Sequence, residues 1–367
     1  MILGLLIGGV VLGAMASGGG GSGAEASGPE PGRPVGDDDP SDDPVLATSS
    51  DRPLLPASDY AVGWAGLTAE EQLLVELANY ARLNPQREAA RLADDLAPGA
   101  SMTPVEALAV VRALSTSARD HSQDMDDRAF FAHTNPDGLS PGDRAFADGH
   151  PSRYVSENIG YIASRSAPDA QARAEAHHAE LWASDSHQTN LLSDAWSEIG
   201  MGYDYGDHNG FPHATFATQT FSDTGKTYLT GAVFEDADGD RFYDVGEGQG
   251  GVRITAWNDD GAHGTATWAA GGYTLALPRG TYKVAFEGAA LDGIYETEVT
   301  IGDENVKLDL IEDASGRTVA TLSAVPEAAP EIDGAALMAA LALDMPVLDE
   351  SLLADEDDPG LPVDLMV

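Results

Sequence analysis

Twelve consecutive residues carry the sharpest chemical pattern in the chain. Asp236-Ala237-Asp238-Gly239-Asp240-Arg241-Phe242-Tyr243-Asp244-Val245-Gly246-Glu247 places side-chain carboxylates at positions one, three, five, nine and twelve, with the Phe242 carbonyl at seven. Alternate side chains of a tightly coiled loop point inward and a final glutamate reaches across, an arrangement that suits a large, hard cation needing roughly six to eight oxygens, calcium above all. Four aspartates and a glutamate this close repel one another without a counterion. Arg241 stands at position six, where the turn of such a loop prefers glycine; Gly239 and Gly246 supply flexibility on either side. A solvated acidic loop is the competing reading.

Histidines and carboxylates concentrate in a second stretch, at His133, Glu157, His177, His178, Glu180 and His187. Converging in a cleft, such groups hold a divalent cation or exchange protons as a general acid–base set; hydrogen-bonded to each other, they merely tie helices to a sheet. Both readings stand on spacing alone. His177 and His178 are adjacent on a helix, about 100° apart, so at most one faces a cleft. His121 continues an apolar helix face and reads as a hydrogen-bonded core residue. Ser184 precedes His187 by three positions, but with no third orienting group a Ser–His hydrolase is remote. Trp182 and Trp196 read as packing.

The rest of the chain must position these groups. Its 367 residues include 61 Asp plus Glu against 19 Lys plus Arg, a formal net charge of −42. Such a field repels phosphate and anionic headgroups over about 8 Å at physiological salt, so nucleic acid and anionic membrane surfaces are poor partners and divalent cations natural ones. A 43% hydrophobic share excludes a wholly disordered chain. The absence of cysteine excludes disulfide frameworks, thiolate nucleophiles, Cys-ligated zinc and iron–sulfur clusters.

Residues 1–16 are uncharged and end in Ala14-Met15-Ala16, the small-x-small pattern of a secretory signal peptide or, if retained, an N-terminal anchor. Residues 17–60, rich in Gly, Ser, Pro and Asp, read as a disordered acidic linker, and 325–367 as an acidic tail. Between them, Thr68-Ala69-Glu70-Glu71 opens a helix with an N-cap and an acidic first turn. Further helices are expected over 104–125 and 167–183, then strands over 198–203 and 214–221 separated by a polar loop. Helices followed by antiparallel strands make this region, 61–225, α+β. Residues 228–324 contain only strand-length apolar runs punctuated by Gly, Pro and Asp, which read as an all-β sandwich.

Several motifs together carry a family resemblance. Asn79-Tyr80-Ala81-Arg82 with Asn84-Pro85, Ala118-Arg119-Asp120-His121-Ser122-Gln123-Asp124-Met125, His133-Thr134, Asn135-Pro136-Asp137-Gly138, Glu157-Asn158-Ile159, Ser184-x-x-His187-x-x-Asn190 and Thr218-Gln219-x-Phe221 follow in one order. Residues 61–225 thereby resemble the bacterial CAP superfamily (cysteine-rich secretory proteins, antigen 5, pathogenesis-related 1; also called SCP). The resemblance implies an α-β-α sandwich, secretion, and a cleft whose His and Glu side chains take zinc or another divalent ion. His133 matches the family's first cleft histidine, Glu157 the glutamate of its Glu-Asn-Ile motif, and His187 the histidine of its Ser-Pro-Gly-His motif. Here that last motif reads Ser184-Asp185-Ser186-His187, so its Pro-Gly turn is lost. Phe216 stands where eukaryotic relatives have a further histidine, and Glu180 is the candidate to compensate. Residues 231–252 resemble the opening of SdrD B-like and Cna B-type repeats, which implies a prealbumin-like sandwich stiffened by calcium at Asp236, Asp238, Asp240, Phe242, Asp244 and Glu247.

The expectation is therefore a secreted or cell-surface protein that binds a lipid or cell-envelope ligand in a His133–Glu157–His187 cleft, with calcium in its sandwich. The alternatives are a metal-assisted hydrolase, with the histidines as ligands and Glu157 or Glu180 as base, and a structural or adhesive surface protein.

Overall fold

A computed structural model describes residues 45–46, 52–92, 103–288, 291–313 and 316–322. The expected signal or anchor at 1–16, most of the 17–60 linker and the 325–367 tail lie outside them. The first described element is a short strand, β1 (Val45–Leu46), followed by a 3-10 turn (Ala57–Tyr60). Thr68 then does what its position suggests: its hydroxyl accepts from the Glu71 amide while its own amide donates to the Glu71 carboxylate, and this capping box starts α1 (Ala69–Leu83). Pro85 opens α2 (Pro85–Arg91).

The helix expected over 104–125 begins later. Ala109–Val110 form a strand, β2, and α3 runs Arg112–Arg128. Ala107, Leu108 and Val111 fit a helical period, but Ala109 and Val110 pair in parallel with Glu198 and Ile199, a distant partner that periodicity does not see. There follow α4 (Pro141–Ala147), β3 (Val155–Ser164), α5 (Ala170–Trp182), α6 (Asp185–Leu191), β4 (Glu198–His208) and β5 (Phe211–Ser222). The polar stretch expected as a loop is instead the end of a hairpin: β4 and β5 run through it to a turn at Asn209-Gly210, both left-handed at φ 51° and 82°.

These strands form a four-stranded sheet in the order β2-β4-β5-β3, so β3 is an edge. Ile159, Tyr161 and Phe216 face α3 and pack with Met125, whereas Ile199, Met201 and Phe221 face the α1 side and pack with Leu73, Leu77 and Trp182. Helices thus cover both faces. Gly200 and Gly202 let α3 lie directly on β4, since a Cβ at either would sit 2.1 Å from Leu114 C or 2.2 Å from Ala118 C.

Eight further strands follow: β6 (Tyr228–Glu235), β7 (Arg253–Asn258), β8 (Gly261–Ala266), β9 (Gly272–Ala276), β10 (Gly280–Glu287), β11 (Tyr295–Ile301), β12 (Val306–Asp313) and β13 (Gly316–Leu322). They make two sheets, β1-β11-β10-β7-β8 and β13-β12-β6-β9, which enclose Leu229, Val233, Ile254, Val284, Phe286 and Leu308. The described part of the 17–60 segment departs from the expected disorder. There β1 pairs with β11, Arg52 meets Glu287 at 2.7 Å, and Tyr60 Oη lies 2.7 Å from Thr255 Oγ1. An edge strand offers unpaired backbone groups, which a short extended segment satisfies.

The two regions share one core. Ala232, Phe234, Tyr243 and Trp268 from the strand-rich region pack with Leu73, Leu74 and Leu77 of α1. Polar contacts reinforce the seam. Trp268 Nε1 donates to Gln72 at 2.9 Å, Gln72 donates to Glu76 at 2.7 Å, and Lys307 Nζ lies 2.7 Å from Glu76 and 2.5 Å from Asp309, all buried. Asn305 donates to the carbonyls of Ala107 and Ser197 at 2.8 and 2.7 Å. Among the described residues no helix is long and apolar enough to cross a membrane.

Candidate functional site: two histidines at the β3 edge

Alternation along β3 sends Glu157 to the α3 face and Asn158 and Gly160 to the other, so the edge strand presents chemistry on both sides. Glu157 is buried, with 2% of its side chain exposed. Arg144 of α4 reaches Glu157 Oε2 at 2.5 Å and ties down the preceding loop by donating to the carbonyls of His133 and Leu139 at 2.6 and 2.9 Å. His133 Nδ1 lies 3.0 Å from Glu157 Oε1, and His133 keeps 49% of its side chain exposed. Burial alone raises the Glu157 carboxyl, but Arg144, then His121 and His133, outweigh it and hold it at about 2. Glu157 is a carboxylate at neutral pH. It aims one imidazole at the solvent side of the edge.

His187 comes from the opposite side, in α6. Asn158 Nδ2 donates to the His187 carbonyl at 3.1 Å and to Gln219 Oε1 at 3.0 Å, while Asn190 donates to Asn158 Oδ1 at 2.9 Å. This mesh ties α6 to the edge without the Pro-Gly turn. His187 Nδ1 is buried without a partner. Burial, and after it the influence of His133, lowers His187 to about 4, so it is neutral at pH 7. Ser184 Oγ contacts Ser186 Oγ at 3.2 Å, which leaves the Ser–His pairing without a hydrogen bond.

Glu180 belongs to the α5 face, apart from Glu157. Its Oε2 is sealed without a partner, 3.9 Å from His177 Nδ1, although 34% of the side chain is exposed. A Cβ on Gly160 would lie 2.7 Å from that oxygen, so the glycine makes room for it. Burial pushes the Glu180 carboxyl up to about 8. Both neighbouring histidines are buried: His177 Nε2 meets Thr215 Oγ1 at 2.6 Å and His178 Nε2 meets Glu88 at 2.6 Å. His121 is buried, 3.0 Å from the Ala132 carbonyl, and Trp182, Trp196 and Phe216 are core residues.

Zinc or a similar ion is the group the motifs imply. His133 and His187 offer imidazole nitrogens, but both Glu157 oxygens are engaged by His133 and Arg144, which fits Glu157 for orienting His133 rather than for ligation. Among the described residues, trios with ligand atoms within 4.8 Å of one another occur in the acidic loop, as Asp236–Asp238–Asp240 and Asp238–Asp244–Glu247. His133, Glu157 and His187 make no such trio. In the loop, Asp236 accepts from the amides of Gly239, Asp240 and Arg241, and Glu247 from those of Ala237 and Asp244. Arg241 adopts φ 61°, the left-handed turn that position six demands. Gln171 of α5 donates to Asp244 Oδ1 at 3.0 Å, joining the loop to the helix that carries Glu180.

Arg144 and Asn158 were not singled out as site residues by spacing. Arg144 had a signal in hindsight, as the only cation in the short helix after the His133 loop. The helix-one motif proves structural: Asn79 bonds the Leu108 backbone both ways, and Arg82 donates to the carbonyls of Glu106, Leu191, Ser193 and Trp196.

With that geometry in view, the comparisons define the class: the family model of cysteine-rich secretory proteins, CAP, matches residues 75–221, and that segment is a CAP domain. In particular, the chain is similar to the uncharacterized protein YkwD of Bacillus subtilis (strain 168), 32% identical over 96 residues, which are 26% of this chain and 34% of that one. The chain thus spans about a third of the length of the curated relative it matches. An extracellular protein containing a SCP domain from Bacillus anthracis str. Ames aligns at 22% identity and TM-score 0.29, over 42% of this chain and 40% of its own. An outer surface protein from Borrelia burgdorferi aligns at 11% identity and TM-score 0.30, over 42% and 93% respectively.

Proposed function

We propose that this is an exported protein whose CAP domain binds a lipid or cell-envelope component in the cleft across the β3 edge. The observation that carries the reading is the pair of imidazoles brought to that edge from opposite faces of the sheet, His133 oriented by Glu157 and His187 anchored through Asn158. His187, neutral at pH 7 and only partly buried, offers an imidazole to a ligand at the edge. A divalent ion such as zinc would sit on the two imidazoles and act there as a Lewis acid. Export is proposed from the uncharged start and the secretory family, to the medium or, if the start is retained, to the cell surface.

Binding is favoured over metal-assisted hydrolysis by the two carboxyls. Both Glu157 oxygens are engaged, by His133 and Arg144, which leaves neither free to take a proton from water, and Glu180 lies on the α5 face beside His177, apart from Glu157. The test is a panel of fluorescent fatty acids, a sterol and soluble cell-wall fragments, assayed for binding and turnover with His133→Ala and His187→Ala. Affinity is expected to fall about tenfold or more in either variant. Turnover lost in both would replace the reading with the hydrolase, and no binding at all with a structural or adhesive role.

The second half of the proposal is calcium in the loop of an SdrD B-like sandwich, held by Asp236, Asp238, Asp240, the Phe242 carbonyl, Asp244 and Glu247. The clustered trios and the left-handed Arg241 support it. Calcium should raise the melting temperature, and Asp238→Ala should abolish most of the gain; insensitivity to both rejects the assignment.

A further inference from the structure

We propose that His150 and Glu198 form a proton-operated latch at the joint between the two regions, tight when both ring nitrogens carry hydrogen and loosened when only one does. Glu198, the first residue of β4, is buried, and its carboxylate gathers three side-chain partners. Oε1 accepts from Tyr228 Oη at 2.6 Å and from Thr224 Oγ1, and Oε2 lies 3.2 Å from His150 Nε2. Thr224 belongs to the connector that follows β5, and Tyr228 opens β6, so one carboxylate grips the joint near its start and at its end. His150 follows α4, with its amide donating to the Ala145 carbonyl at 2.9 Å. The latch thereby reaches the helix that carries Arg144.

The buried imidazole has a partner for either charge state. A carboxylate only accepts, so Nε2 carries a hydrogen throughout. Nδ1 faces two atoms of one residue, the Ser152 carbonyl oxygen at 2.9 Å and the Ser152 amide nitrogen at 3.3 Å. With a proton, Nδ1 donates to the carbonyl; without one, it accepts from the amide. Neither form leaves an orphaned nitrogen, so the ring can titrate in place. What changes is the charge beneath the joint. Imidazolium and carboxylate are neutral together, whereas a neutral ring leaves Glu198 a buried anion among uncharged donors. Such an anion is stabilised by reaching water, and the connector is what must open to admit it.

The surrounding charges do not replace the lost cation. Lys226 of the connector is exposed, and Asp223 accepts from Ser197 Oγ and the Gly225 amide, each at 2.8 Å. On the α4 side, Asp148 is bonded to Ser117 beside Asp120, Asp143 pairs with Arg153, and Arg144 is matched by Glu157. Burial weakens the hold of His150 on its proton and Lys226 adds to that, but Glu198 and the Ser152 carbonyl outweigh both and keep the ring above its ordinary 6.5. Burial also raises Glu198, yet His150, Thr224 and Tyr228 prevail and hold that carboxyl below its ordinary range. A raised histidine contributes stability that is complete below 6.5 and is lost as pH rises through the folded value. The joint therefore tightens as an alkaline medium turns acidic.

The experiment compares the full chain with His150→Gln, whose side-chain amide donates to Glu198 and accepts at Ser152, a permanent copy of the neutral ring. Hydrogen exchange is read as protection of the Gly225 and Tyr228 amides, which donate to Asp223 and Asn305, between about pH 6 and about pH 8.5. In the native chain protection should fall about threefold or more across that range, in step with the His150 titration followed by imidazole NMR. In the variant it should stay near the native alkaline value throughout. Melting temperatures should coincide at the alkaline end, with the native chain about 2 °C or more higher at the acidic end. A native His150 midpoint below 6.5, connector protection that does not change with pH in the native chain, or equal changes in both chains overturns the latch.

Discussion

Replacing Arg144 with methionine tests the electrostatics on which the cleft depends. In the native protein the displacement of the Glu157 carboxyl from 4.5 to about 2 corresponds to roughly 3 kcal/mol of linkage. The sign follows from the depressed value. That contribution is fully present above the unfolded value of 4.5 and is lost as pH falls through about 2. In Arg144→Met the guanidinium is gone and burial becomes the leading influence, so the carboxyl moves above its ordinary range and stability is instead lost as pH rises. At neutral pH the variant should be about 3–5 kcal/mol less stable, as when one member of a buried pair is removed. Near pH 3, where about 1.4 kcal/mol of the linkage survives, the gap should narrow to about 2–3 kcal/mol, and it should approach the roughly 1–2 kcal/mol share of the two lost carbonyl contacts only below about pH 2. Urea unfolding of both proteins across this range, with the Glu157 carboxyl followed by carbon NMR, measures each quantity. Parallel stability profiles, or a native Glu157 that titrates near 4.5, would refute the reasoning.

The seam between the two regions gives a second prediction. Lys307→Met strands the buried Glu76 and Asp309 carboxylates and should cost about 3–5 kcal/mol, with unfolding still a single transition reported by both halves; a separate early transition of one half would contradict the shared core. Two glycines should respond differently to alanine. Gly202→Ala meets the α3 backbone and should cost about 3 kcal/mol or more in melts, whereas Gly160→Ala meets the end of the Glu180 side chain and, at 3.0 Å, the buried His177 ring, and should cost less, about 1–2 kcal/mol. In the second variant Glu180 swings into water, so its carboxyl should titrate well below about 8.

Local chemistry was legible where neighbours in sequence are neighbours in space. The Thr68–Glu71 box and the strand runs of the sandwich are of that kind. Motif order singled out His133, Glu157 and His187, and the structure places His133 Nδ1 3.0 Å from Glu157 Oε1. What escaped depends on distant partners. Ala109–Val110 became a strand because Glu198–Ile199 lay alongside, not because of its own pattern. Arg144 acquires meaning only beside Glu157, and Lys307 only beside Glu76. The Asn209-Gly210 turn was readable, but the flanking polar residues masked strands that alternate at an exposed hairpin tip.

The acidic loop occupies a consequential place in this arrangement. Gln171 contacts it twice, donating to Asp244 Oδ1 at 3.0 Å and accepting from the Val245 amide at 2.9 Å. Gln171 lies in the first turn of α5, and the same helix carries Glu180 against β3. Phe242, within the loop, packs edge-on to Tyr80 of α1 at 5.9 Å, and Tyr243 is buried in the core shared with that helix. A cation drawing in Asp244 would therefore pull on a residue already committed to the CAP domain. The loop sits at the joint between the two regions, so its occupancy should set the rigidity of the α1–α5 layer behind the cleft as well as that of the sandwich. A separate stalk, joined only by a flexible connection, would have no such leverage.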